Sequence, residues 1–250
     1  MLELNTTHKI DVLDGMRQLE DNSIDLIITS PPYNKAGFHN YKQPIFKSKG
    51  HRANITVSYG GDHNVDCMSE EEYQAWQIEF LNECYRVLKP NGSLFYNHKN
   101  RIHRHILHSP YEFILKSKLT LRQEIVWDRL SDVNQSNIRY IPTTERIFWF
   151  TKQAKTPRFK LNRDDNAKIT EVWRIPFEKK NTHPAPFPLE IPNIIIKCVA
   201  QGERIIVLDP FMGSGTTALA AVQNNCDWIG FDIFDEYIDM TNQRIEKYNQ

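Results

Sequence analysis

Arg204-Ile-Ile-Val-Leu-Asp-Pro-Phe-Met-Gly-Ser-Gly-Thr-Thr-Ala-Leu-Ala-Ala-Val222 decides how this chain folds. Ile205 to Leu208 form a continuous apolar run, as a strand buried on both faces of a parallel sheet requires. Asp209-Pro210 break the run, and Gly213 and Gly215 make a loop in which backbone can approach a ligand closely. From Thr216 onward the small and apolar residues Ala218 to Val222 read as helix. Strand, glycine turn and helix together present backbone N–H groups at a helix N-terminus, the makings of a nucleotide-type site. No Gly-Lys-Ser/Thr follows at the spacing of a phosphate loop, and the third glycine of a dinucleotide fingerprint is missing. Next comes Trp228-Ile-Gly-Phe-Asp-Ile233, a short strand ending in Asp232, whose carboxylate can accept both hydroxyls of a ribose. The site reads as one for a nucleoside with an unphosphorylated, carboxylate-bearing tail.

Near the other end, Asp25-Leu-Ile-Ile-Thr-Ser-Pro-Pro-Tyr-Asn34 repeats the plan without glycines. Leu26 to Thr29 suit a second buried strand, which the prolines end because neither donates to a ladder. Pro32 holds Pro31 extended, so a stiff turn stands at the carboxyl end of the strand, where open α/β sheets bind ligands. A rigid structural loop is the plain reading; Ser30 and Tyr33, a hydroxyl and a ring on a stiff backbone, favour a working site.

Thr29-Ser-Pro-Pro-Tyr-Asn34 together with Asp209-Pro-Phe-Met-Gly-Ser-Gly-Thr-Thr217 resembles the amino-group DNA methyltransferases that use S-adenosylmethionine and make N4-methylcytosine or N6-methyladenine. Catalytic motif first and cofactor motif last is similar to the motif order of their beta subgroup, and the resemblance runs from about Leu2 to Ile245. It implies an α/β fold: a Rossmann-like, doubly wound, mostly parallel sheet of the class I methyltransferase type, with permuted motif order and a small recognition insert. It also implies a target base flipped out of double-stranded DNA. In that reading Ser30 and the Pro31 carbonyl accept from the base's amine, Pro32 stiffens the turn, and Tyr33 stacks on the base. Carried over residue by residue, the cofactor positions are Asp14, Thr29, Asp209, Phe211, Gly213, Ser214, Gly215, Thr216 and Asp232, with His183, Ala185 and Phe187 from a proline-containing element. Ala185 and Phe187 depart from the commoner hydroxyl and long polar side chain there, which favours backbone or ring contact. For Asp14 an N-cap on the following helix is an equally good account.

Serine at the first motif position is commoner in N4-cytosine enzymes, so the resemblance favours cytosine, with N6-adenine as the alternative. No Pro-Cys pair occurs, which excludes the cytosine-C5 mechanism, and the chemistry requires no metal. An RNA or protein-amide methyltransferase would more often show Asn-Pro-Pro-Tyr, and a silent binding module would be expected to lose Ser30 or the glycines. The family further implies a restriction-modification system, with a cognate endonuclease as partner but no stable complex.

A chain of 250 residues, 40% hydrophobic, suffices for one catalytic domain over 1–250. Formal net charge is zero, so nucleic-acid contact must come from local patches. The four cysteines lack metal or disulfide spacing. Without a signal peptide or an apolar run of membrane length, a cytoplasmic monomer or homodimer with no membrane contact is expected.

Between the motifs, residues 35–66 lose regular patterning and interleave basic with aromatic residues. Lys42, Lys47, Lys49 and Arg52 there suit phosphate contact, so this is a candidate DNA-contacting loop, against the plain reading of a surface loop. Ser69-Glu-Glu-Glu72 has capping-box form and opens a helix that Lys89-Pro90-Asn91-Gly92 stops. Asp14-Gly15 open a helix through Glu20, and Ile102 to His108 read as a basic helical pattern whose histidines do not share one face as metal ligands would. Leu121–Trp127 and Glu145–Thr151 read as strands, and the polar stretch between them offers Asn137 and Arg139 for reading base edges. Residues 152–182, with Lys155 and Arg158, are the candidate target-recognition insert, and Glu236 to Tyr248 the closing helix.

Overall fold

The computed structural model describes residues 2–34, 68–103, 105–131, 139–153, 157–163, 168–176 and 188–250, with His103 as backbone only. Its first half contains β1 (Thr6–Lys9), α1 (Val12–Arg17), β2 (Ile24–Thr29), α2 (Glu70–Val87), β3 (Leu88–His98), β4 (Arg101–His103), β5 (Ile106–His108) and α3 (Tyr111–Ile114). Then follow β6 (Thr120–Asp128), β7 (Thr144–Thr151), β8 (Val172–Arg174), α4 (Glu190–Ala200), β9 (Ile206–Asp209), α5 (Thr216–Gln223), β10 (Asp227–Asp232) and α6 (Asp235–Asn249).

β2 is buried at every position, the consequence of an apolar run with helices on both sides. It lies within an eight-stranded sheet of order β1-β10-β9-β2-β3-β7-β6-β8. The first five strands run parallel, β7 is antiparallel to β3 and β6, and β8 is parallel to β6. On one face α4 and α5 pack with Leu26 and Ile28. On the other, α1, α2 and α3 pack with Ile24 and Ile27. Ile24 and Leu26 point to opposite faces because the register shifts between them, at Asp25. The Asp25 carboxylate accepts from Lys89 Nζ at 2.8 Å and from the Ile206 amide at 3.1 Å.

From β2 the chain crosses to β3 through α2 on one face; from β9 it crosses to β10 through α5 on the other. Adjacent β2 and β9 are therefore the topological switch point, and a crevice opens outside their carboxyl ends. The two sequence motifs end at that crevice.

The capping box on α2 forms as expected, Ser69 Oγ accepting from Glu72 N and the Glu72 carboxylate from Ser69 N. Two expectations fail. Residues 102–108 are no helix but the β4–β5 hairpin, with His105 left-handed at φ 66°. Ile106 and Leu107 are 63% and 54% exposed, so this stretch has no core on which a short helix could pack, and cross-strand pairing satisfies its backbone instead. Asp14 is not the N-cap of α1: Asp11 is, accepting from Leu13 N at 2.9 Å. Asp14 sits inside the first turn, paired with Arg17 at 3.0 Å, and the helix ends at Arg17 rather than reaching Glu20. Described parts of the 152–182 segment lie against the sheet: β8 extends its edge, Trp173 is buried, and Phe159 packs on Trp149 with ring centroids 4.4 Å apart.

Candidate active site

Asp209, the last residue of β9, joins the two motifs. Its Oδ1 accepts from Thr29 Oγ1 at 2.8 Å and from Phe211 N at 3.1 Å, while Oδ2 accepts from Thr217 Oγ1 at 2.6 Å. The carboxyl is buried, and burial pushes it up to about 6 despite these donors. Asp209 and Thr29 therefore lock β2, β9 and α5 together, their side chains committed to each other beneath the crevice floor.

Above them the glycine turn is shaped by α6. Gly213 and Gly215 take φ of 52° and 78°, a region that costs other residues strain. A Cβ on Gly215 would lie 2.6 Å from Thr241 Oγ1 and 2.9 Å from Thr241 Cα, so that glycine serves close packing on α6. Thr241 Oγ1 donates to Gly213 O at 3.2 Å, and Arg244 Nη1 donates to Ser214 O at 2.8 Å and Thr216 Oγ1 at 3.1 Å. Ser214 and Thr216 are buried, and Phe211 turns edge-on to Trp76 and Phe80, tying the turn to α2. Asp232, closing β10, accepts from Gly213 N at 2.9 Å and Phe234 N at 3.0 Å. Burial raises its carboxyl although backbone N–H groups of Phe234, Gly213 and Ile233 donate to it. With an acid at its edge and Arg244 bonded to the turn itself, this turn suits a hydroxyl-bearing nucleoside rather than a phosphate.

The Ser30–Asn34 turn is held quite differently, by side chains from distant elements. Tyr73 of α2 donates its hydroxyl proton to Pro32 O at 2.9 Å, and also lies 2.8 Å from His98 Nε2 and 2.9 Å from Gln77 Nε2. Asn34, left-handed at φ 50°, exchanges hydrogen bonds with the Met68 backbone at 2.9 and 3.0 Å. Ser30 Oγ is 2.8 Å from the Tyr33 hydroxyl, which donates to Glu145 Oε2 at 3.1 Å. Asn97 Nδ2 reaches the Tyr33 hydroxyl and Glu145 Oε2, both at 2.8 Å, and Ser30 Oγ at 3.3 Å. Arg129 Nη1 stands 3.5 Å from Glu145 Oε1. Burial, then the Glu145 charge, raises the Tyr33 phenol well above its ordinary value. His98 lies beside the Tyr33 ring, centroids 4.7 Å apart, and Lys99 Nζ is 5.6 Å from that ring's centre.

Of the residues singled out from sequence, Ser30 to Tyr33, Thr29, Asp209, Phe211, Gly213 to Thr216 and Asp232 gather at this one edge of the sheet. Asp14 lies on α1, whose Gly15 packs against Phe231 of β10. Lys42, Lys47, Lys49, Arg52, Asn137, Lys155, His183, Ala185 and Phe187 fall outside the described residues. Arg139 is exposed on the β6–β7 connection. Arg158 closes the C-terminus of α4: Nε donates to Val199 O at 3.0 Å, Nη2 donates to Ala200 O at 2.9 Å, and Nη2 also pairs with Glu203 at 2.6 Å. Those bonds give Arg158 a structural task at the end of α4. Glu145, Tyr73, Thr241 and Arg244 were not singled out. One signal was present: Glu145 is the only acid of β7 and stands near the start of an antiparallel strand, whose first residues must lie beside the last residues of β3.

A family model described as DNA methylase matches residues 24–243. The chain is 29% identical over 276 residues to the Type II methyltransferase M.BglII of Bacillus subtilis, covering 96% of this chain and 68% of that protein. It is 26% identical over 269 residues to the DNA adenine methyltransferase YhdJ of Escherichia coli, covering 94% and 81%. In fold it is similar to the cytosine-N4-specific PvuII DNA methyltransferase, with a TM-score of 0.71 at 23% identity over 96% of this chain and 87% of that one. It is similar also to a Thermus thermophilus DNA modification methylase solved with S-adenosyl-L-methionine, with a TM-score of 0.67 at 20% identity over 97% and 93%.

Proposed function

The chain belongs to the DNA methylase family, and we propose that it methylates the exocyclic N4 amine of a cytosine flipped out of duplex DNA. The cofactor is S-adenosylmethionine, which supplies, when bound, a methyl group on a positively charged sulfur. Asp232 and the Gly213–Gly215 turn would hold its nucleoside end, the acid accepting from hydroxyls and the turn offering backbone.

The observation that carries the reading is the convergence of Ser30, Tyr33, Asn97 and Glu145 at the carboxyl edge beside the cofactor turn. An exocyclic amine is a weak nucleophile because its lone pair is delocalised into the ring. Ser30 Oγ, accepting a hydrogen bond from that amine, draws the pair back onto nitrogen. Tyr73, by fixing Pro32 O, holds the turn still, and orientation of this kind supplies much of the rate in a two-substrate transfer. Ser30 is a neutral acceptor, which together with the likeness to a cytosine-N4-specific fold neighbour supports cytosine. The YhdJ relationship supports adenine N6 as the second reading.

Contact with duplex DNA is assigned to residues 35–66 and to Arg139, with the domain spanning the whole chain. By analogy with the Type II relatives, a restriction endonuclease of the same specificity is the functional counterpart. Among the described residues no helix is long and apolar enough to cross a membrane.

Incubating the protein with labelled cofactor and DNA, RNA or protein, then digesting the labelled DNA to nucleosides for mass analysis, tests the reading. N4-methyldeoxycytidine is expected. N6-methyldeoxyadenosine would replace the base assignment, and label confined to RNA or protein would overturn the substrate.

A further inference from the structure

Methylating an amine leaves a proton to be disposed of, and the hydrogen bonds around Ser30 trace where it goes. Three groups have to be satisfied together. The Tyr33 hydroxyl lies 3.1 Å from Glu145 Oε2, a contact between two oxygens that needs a proton between them, and the carboxylate has none to give. Tyr33 is therefore the donor to Glu145. Its one hydrogen being spent, the 2.8 Å contact with Ser30 must be donated by Ser30. Asn97 turns its Nδ2 toward the Tyr33 and Glu145 oxygens, although this leaves its own Oδ1 buried without a hydrogen-bond partner. The reverse orientation would set Oδ1 against the carboxylate. Every hydrogen in the chain then points the same way, from Ser30 to Tyr33 to Glu145, and Ser30 Oγ, which accepts from Asn97 Nδ2 at 3.3 Å, keeps one lone pair.

We propose that Glu145, acting through Tyr33 and Ser30, is the terminal acceptor of the proton that leaves the target amine. The inference rests on the amine-methylation reading above. As the new nitrogen–carbon bond forms, the amine nitrogen gains a positive charge and sheds one proton to Ser30 Oγ. Ser30 passes its own proton to the Tyr33 oxygen, and Tyr33 passes its proton to Glu145 Oε2. The base ends neutral, both hydroxyls are restored, and the carboxylate becomes a carboxylic acid. Once the product base has left, the same path runs backward to water and the carboxylate is regenerated. Arg129 and Asn97 hold the Glu145 carboxylate in place between turnovers. Tyr33 thus has a second task beside stacking, carried by its hydroxyl alone, and the two tasks separate cleanly in Tyr33→Phe.

The test uses single-turnover methylation of plasmid DNA together with carbon-13 NMR of the cofactor-free protein labelled at the tyrosine ring carbon that bears the hydroxyl. Tyr33→Phe and Glu145→Gln should each slow transfer by about tenfold or more, as expected for loss of a proton acceptor. Their combination should be no slower than the slower single variant, and cofactor and DNA affinities should hold within about twofold, a change of roughly 0.4 kcal/mol. In the NMR experiment the Tyr33 signal, assigned by its loss in Tyr33→Phe, should move in both Glu145→Gln and Ser30→Ala. A rate near wild type in Tyr33→Phe, multiplying effects in the double variant, or a Tyr33 signal unmoved by Glu145→Gln would each overturn the relay. Failure of the wild-type protein to label a DNA amine would instead overturn the functional reading beneath it.

Discussion

The two turns that meet at the switch point are built by opposite means. The turn after β9 is shaped by its own backbone and by the C-terminal helix: its glycines take left-handed backbone, and α6, following directly after β10, packs on it through Thr241 and Arg244. The turn after β2 has no glycine and is held by residues far along the chain, Tyr73, Asn97 and Glu145. Backbone shape does the work in the first; side-chain hydroxyls and a carboxylate do it in the second. Damage to the first turn should therefore appear as lost cofactor affinity, and damage to the second as lost rate with cofactor affinity intact.

Gly215→Ala is the harshest way to break the comparison. A left-handed alanine costs roughly 1–2 kcal/mol and overpacking about 1–3 kcal/mol more. Chemical denaturation should show the sum, and cofactor affinity should fall with it. Adding Thr241→Ala should recover only part, because Thr241 Cα remains 2.9 Å from the new methyl group. Full recovery would mean that backbone strain contributes nothing.

Asp209 supplies the next effect, through pH. Its folded-state carboxyl is raised from 3.8 to about 6, so between those values the native protein holds a proton that the unfolded chain has released. Stability must then fall as pH rises through that window, by about 3 kcal/mol for a shift of this size. Asp209→Asn cannot make the transition, so the stability difference, variant minus wild type, should increase from pH 4 to pH 7. Denaturation curves of both proteins across that range would show it; a pH-independent difference would refute the buried-acid account.

For the second turn, Tyr73→Phe removes the hydroxyl that fixes Pro32 and leaves buried Gln77 and His98 one partner short. A stability loss of roughly 1–3 kcal/mol is expected in thermal unfolding, with slower methyl transfer and unchanged cofactor affinity. Arg244→Met, on the first turn, should do the reverse at smaller scale. About 1 kcal/mol of loop order should be lost, read by calorimetry as weaker cofactor binding, while the rate with saturating cofactor stays near normal.

What the sequence made legible follows the same division. β2, β9, β10, α2 with its capping box and the glycine turn were readable because each rests on signals within about ten residues. Glu145 was not, because its position depends on β7 running antiparallel, which brings the start of that strand to the edge where parallel strands end. The β4–β5 hairpin misread as helix for a related reason: periodicity in a short stretch cannot tell that no core lies beneath it. Arg158, chosen for its charge, turned out to be held by the carbonyls of a helix some forty residues further on.

The central claim is that the Ser30–Tyr33 turn acts on the substrate while the glycine turn holds the cofactor. Ser30→Ala tests it most directly, since the change removes one acceptor and little volume. Single-turnover methylation with saturating DNA should slow by about one to two decades, the worth of a hydrogen bond of roughly 1.5–3 kcal/mol to developing charge, while calorimetry shows cofactor affinity intact. A near wild-type rate, or a cofactor affinity that falls in step with the rate, would contradict the account.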